Sequence, residues 1–103
     1  MSERITFDCA NEILNKVNTK NKLTFIEFQQ IFSYLYKKVQ ISLKLIKKKS
    51  LIVMNLNRVY DILNKLEIIV QQNLIEDYEY KEMMLGLIND LKKEIKDKGV
   101  LVC

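Results

Sequence analysis

The side chains here that could do chemistry are carboxylates and amines, and little else. The 103 residues include no histidine, which removes the usual proton shuttle near neutral pH and the commonest metal ligand. Cys9 and Cys103 lie near opposite ends of the sequence, and neither belongs to a C-x-x-C pair. No glycine-rich phosphate loop, G-x-S-x-G or H-E-x-x-H occurs. The carboxylates fall into two sets: Glu76, Asp77, Glu79 and Glu82, then Asp90, Glu94 and Asp97. On a helix Glu79 with Glu82, and Asp90 with Glu94, share a face, as an acid–base pair or a metal site would require. Lys81 and Lys93 are interspersed among them, which is the pattern of a solvated helix surface with ion pairs three and four residues apart. The residues therefore predict no catalysis, no metal and no cofactor.

The lysines form a sharper feature. Lys37, Lys38, Lys44, Lys47, Lys48 and Lys49 fall within thirteen residues, and no acid lies between Glu27 and Asp61. Residues 1–50 carry ten Lys/Arg against four acids, whereas residues 51–103 carry seven against nine. Such a segment is either a solvated helix end, where each cation gains about 0.3–1 kcal/mol from the helix dipole, or a contact surface for phosphate or anionic lipid. Lysine is a point charge, and Arg4 and Arg58 are the only arginines, so any nucleic-acid contact would be sequence-independent. Tyr34, Ile41 and Leu45 lie beside these lysines, off the main apolar stripe. They are the candidate partner-facing apolar residues.

Four helical segments must position these groups. The first is predicted over Glu3–Val17, with Ile5, Cys9, Ala10, Ile13, Leu14 and Val17 at helical spacing, followed by the polar loop Asn18–Lys22. The second opens on a Thr24–Glu27 capping box with Leu23 in the hydrophobic-staple position. Its core stripe is Phe28, Phe32, Leu35, Val39 and Ile46, widened by Phe25, Ile31 and Leu43. The third carries Ile52, Leu56, Val59, Leu63, Leu66 and Val70. The fourth follows the acidic corner Glu76–Asp77, which suits a helix N-terminus, with Tyr80, Met84, Leu87, Leu91 and Ile95 inward and Ile88 beside them. Gly86 inside that helix is either a point of close helix approach or simply tolerated, at a cost of about 1 kcal/mol relative to alanine. Gly99 supplies its left-handed stop.

The fold expected is all-α, an antiparallel four-helix bundle formed by a single domain over residues 1–103. The alternative is a rod through residues 24–72, since Lys47–Leu51 contains neither glycine nor proline. At 1.5 Å per residue that rod would be about 70 Å long, and it would have to dimerise to cover its apolar face. The N-terminal sequence has acids before any apolar run, lysines interrupt every long apolar stretch, and the thiols are few. These features predict a cytoplasmic chain with reduced cysteines and no membrane span. Ile, Lys and Asn, whose codons are AT-rich, supply 37 of the 103 residues, which points to a low-GC genome.

The layout of ILNKV closing the first helix, a polar loop, IFSYLYKKV in the second, and DYEYKEMMLGLINDLKKEIKDKG as the last helix with its glycine resembles the immunity proteins of pediocin-like (class IIa) bacteriocins. That resemblance implies a cytosolic antiparallel four-helix bundle with no catalytic residues. It also implies action at the inner membrane face on the permease or bacteriocin–receptor complex, with residues 76–103 as the recognition surface. Two other readings come from the residues alone: a phage or mobile-element regulator that binds nucleic acid through Lys37–Lys49, and a dimeric helical adaptor.

Overall fold

Leu56, Val59, Leu63, Leu66 and Val70 recur at three-four spacing along one helix, and all five are fully buried. Everything else packs around that stripe. The computed structural model of the chain describes residues 6–44 and 50–98, with side chains described for 6–41 and 56–97. It contains four α-helices: α1 (Phe7–Asn15), α2 (Phe25–Lys44), α3 (Ser50–Gln71) and α4 (Lys81–Lys98), the last preceded by a 3-10 turn at Tyr78–Tyr80. No strand occurs among the described residues, so the protein is an all-α helical bundle.

Contacts between the helices set their directions. The residue before α2, Leu23, bridges Ile75 just after α3, so α2 and α3 run antiparallel. Lys81 reaches Asn73 at 2.8 Å and Lys92 reaches Glu67 at 2.6 Å, which sets α4 antiparallel to α3. Phe25 stacks on Tyr80 at one end and Gln40 bonds Glu94 at the other, so α2 and α4 are parallel. Lys65 meets Asn11 at 2.6 Å, while Leu14 and Ile69 line one hollow, which makes α1 parallel to α3. Chain direction thus alternates through the four helices, and α3 packs against all of the other three.

The helix ends follow local chemistry. Thr6 caps α1 by accepting from the Cys9 amide at 3.1 Å. This places the start of α1 at Phe7, later than the predicted Glu3, and Ile5 lies outside the described residues. The α2 capping box is formed in both directions: the Glu27 amide donates to Thr24 Oγ1 at 3.1 Å, and the Thr24 amide donates to Glu27 Oε1 at 3.0 Å. At the end of α3, Asn73 adopts φ 61°. The Leu74 amide bonds to Ile69 O and the Asn73 amide to Val70 O, each at 3.0 Å. This is a Schellman stop with asparagine in the left-handed position.

Three expectations are corrected. The acidic corner does stand ahead of α4, with Asp77 at the N-cap of the 3-10 turn that leads into it, but its side chain makes no cap there. Asp77 Oδ2 instead accepts from the Phe25 amide at 2.9 Å, serving the N-terminus of α2, where orphan amides and the positive dipole end favour a carboxylate. The inward stripe of α4 is Met84, Ile88, Leu91 and Ile95. Leu87 is 37% exposed while Ile88 is 0% exposed, because turning α4 to pack on α3 brings the Ile88 side inward and leaves Leu87 on the flank facing α2. The rod through residues 24–72 is not formed. The longest dimension is 43 Å, and α2 packs beside α3. Residues 45–49, where the turn-back was expected, and residues 99–103, with the Gly99 stop, lie outside the described residues.

Gly86 has open space where a Cβ would stand, so it does not serve a close helix approach.

Candidate functional site

The predicted site residues are dispersed. Lys37 is exposed on α2. Lys38 lies over the ring of Tyr34, 5.5 Å from its centroid, and so makes a cation–π contact within the fold. The side chains of Lys44, Leu45, Lys47, Lys48 and Lys49 lie outside the described residues. Ile41 is 57% exposed.

Tyr34, half-buried, makes contacts within the fold. It meets Phe7 edge-on, with ring centroids 5.3 Å apart, and ties α1 to α2. Burial raises its phenol above the usual tyrosine range, against the opposing pull of the Arg58 guanidinium and a hydrogen bond with the Phe7 backbone. Arg58 itself lies over Phe7 at 4.5 Å. This is an aromatic–cation cluster shared by α1, α2 and α3.

Among the described residues no group of three or more His, Cys, Asp or Glu could hold a metal ion. Cys9 is a half-buried free thiol. Among the described residues, no helix is long and apolar enough to cross a membrane.

The feature that the periodicity missed lies on the flank of α2 that faces α4. Phe25, Phe28, Phe32 and Tyr36 recur at three-four-four spacing and stack in series, with centroid separations of 6.5, 5.6 and 6.4 Å. Tyr80 extends the series by stacking on Phe25 at 4.3 Å. Phe28 is fully buried, Phe32 is half-buried and Tyr36 is exposed, so the ladder climbs out of the core along the helix. Where it emerges, α2 and α4 flank a cleft of about 190 Å³ lined by Phe32, Tyr36, Leu87, Asp90, Leu91 and Glu94. Met83, one turn before Leu87 on the same side of α4, is also exposed. Glu94 accepts from Gln40 Nε2 at 3.3 Å across the cleft.

The signal was present in the sequence. Phe32 and Leu87 sit at the margin of their stripes, and a residue at that position faces a neighbouring helix as readily as it faces the core.

The opposite flank of α4 is built differently. Lys92 pairs with Glu67 at 2.6 Å, and both side chains are largely buried. Lys92 and Lys96 also lie over Tyr60 at 5.2 and 5.8 Å. The lysines there are satisfied by aromatic and acidic groups of the fold itself.

In comparisons with known proteins, no family model, no curated protein and no solved structure matches this chain.

Proposed function

We propose that this protein works by binding another protein, without catalysis, and that the seam between α2 and α4 makes the contact. The observation that supports this reading is the partly exposed aromatic ladder. Phe32, Tyr36, Leu87 and Met83 keep apolar surface in water beside a cleft, and rings set in a concave apolar surface are the residue type that dominates protein recognition.

In its most specific form, the reading is that of a bacteriocin immunity protein held in the cytosol near the inner membrane face. There it would occlude the permease engaged by a pediocin-like bacteriocin. The layout resemblance supports this form, and α4 falls within residues 76–103, the surface that the resemblance implies.

The test is protection. A sensitive strain expressing the chain is challenged with a panel of pediocin-like bacteriocins, beside a strain expressing a Tyr36→Ser/Leu87→Ser variant whose helical circular dichroism is checked. Survival with the native chain and killing with the folded variant is the expected result. Killing in both strains by every bacteriocin contradicts the immunity form, and equal survival in both removes the seam from the mechanism.

A further inference from the structure

We infer that α1 is a hinged cover, which lifts from α3 as a unit while α2, α3 and α4 stay packed, and that the polar loop after it is the hinge. The way α1 is held points to this. It has nine residues, and isolated helices shorter than about 12–15 residues are marginal in water. α1 therefore depends on docking for its helical form. It docks through three buried side chains, Phe7, Ala10 and Leu14, whereas α3 is buried along its whole described length, from Leu56 to Val70.

The joint between α1 and α3 is incompletely filled. A hollow of about 220 Å³ lies beside Asn11, Arg58 and Ile62, and another of about 200 Å³ beside Leu14, Ile68 and Ile69. Groups along these hollows keep solvent on one side, so docking removes less apolar area from water than a close-packed helix would. The polar and aromatic ties are few: Lys65 to Asn11 at 2.6 Å, the Arg58 guanidinium over Phe7, and Tyr34 edge-on to the Phe7 ring and hydrogen-bonded with its backbone. The Lys65–Asn11 bond is exposed, where water competes for both partners.

The loop fixes where the cover turns. Asn18 Oδ1 accepts from the Lys20 and Asn21 amides at 2.8 Å, and Asn21 Nδ2 donates to Lys16 O at 2.9 Å. These bonds are internal to the loop. Among the described residues, no backbone–backbone hydrogen bond joins residues 6–21 to the rest of the chain. The first such tie is at Leu23, whose amide donates to Leu74 O at 2.9 Å and whose carbonyl accepts from the Glu76 amide at 2.8 Å. The fixed part of the bundle begins there, and α1 with its loop moves without breaking the backbone ladder of α2, α3 or α4.

Lifting α1 uncovers Ile62 and Ile69, which are 2% and 8% exposed when it is down. They adjoin Ile68, already exposed at the edge of the same hollow as Ile69. By helical rotation, Ile62 and Ile69 lie on the flank of α3 opposite Tyr60 and Glu67. The cover thus controls access to a second apolar strip, separate from the α2–α4 seam.

Native-state hydrogen exchange on the ¹⁵N-labelled chain, repeated in low urea, is the test. Amides of residues 10–15 should exchange at least about tenfold faster than those of residues 59–70. Their rates should depend little on urea, because lifting one short helix exposes little surface. Ile88→Val, in the α4 stripe, should speed exchange of residues 59–70 about threefold or more and leave that of residues 10–15 unchanged. Phe7→Ala should bring residues 10–15 close to unprotected rates while residues 59–70 remain protected. Equal rates and equal urea dependence in the two helices would overturn the inference, since α1 would then open only when the whole bundle unfolds. An Ile88→Val acceleration shared by both helices, or loss of protection in both helices of Phe7→Ala, would overturn it as well.

Discussion

The two flanks of α4 meet their neighbours in opposite ways. Toward α3, Lys92 and Glu67 are joined at 2.6 Å and Tyr60 is covered by two lysines, so apolar and charged groups are both satisfied inside the fold. Toward α2, the ladder of Phe28, Phe32 and Tyr36 passes from buried to exposed, beside a cleft that Asp90 and Glu94 help to line. One flank serves the bundle; the other keeps surface in reserve.

The comparison breaks most visibly at neighbouring residues. Leu63→Asp places an unpaired carboxylate in the centre of the α3 stripe and should unfold the protein, read as loss of the helical circular dichroism signal. Ile88→Ala should cost about 2–5 kcal/mol in urea unfolding. Leu87→Ala, one residue away and about 100° around the helix, should cost about 1 kcal/mol or less because its side chain is already in contact with water. Equal costs would mean that both flanks belong to the core.

On the closed flank, Glu67→Ala leaves Lys92 without its anion in a largely buried position. The expected loss is about 1–2 kcal/mol, between the values for exposed and fully buried pairs. Gly86→Ala works in the other direction. With open space at the Cβ position, it should stabilise α4 by about 1 kcal/mol and raise the urea midpoint without touching either flank.

The smallest effect concerns Tyr34 and pH. Burial raises its folded-state phenol above the ordinary value of 10.0. The resulting stabilisation is therefore fully present below that value and is lost as pH rises through the raised one. Native protein should lose stability above about pH 10 more steeply than Tyr34→Phe, measured by urea midpoints across the alkaline range. Parallel curves would show that the phenol does not contribute.

Much of the fold was legible in the sequence because the signals are local. The α3 stripe, the Thr24–Glu27 box and the polar Asn18–Lys22 loop each depend on residues within a few positions of one another. What was not legible depends on rotation and on distant partners. Asp77 sits just ahead of α4 in sequence, but its carboxylate caps α2, 52 positions away. Phe32 and Leu87 fit a core stripe by spacing, yet which side of a helix faces a neighbour is decided by how three helices share one groove. Tyr34 was read as surplus because its partners, Phe7 and Arg58, come from α1 and α3. The Asn73 stop carried a usable signal, an asparagine directly after a polar pair at the end of an apolar stripe.

The most direct test of the central claim is to measure melting of the Tyr36→Ser/Leu87→Ser variant beside its protection of a sensitive strain. The account predicts a Tm within about 4–8 °C of the native value, the shift expected of roughly 1 kcal/mol in a domain of this size, together with loss of protection. A collapse of the fold would place the ladder in the core. Unchanged protection would show that the α2–α4 seam is not the contact.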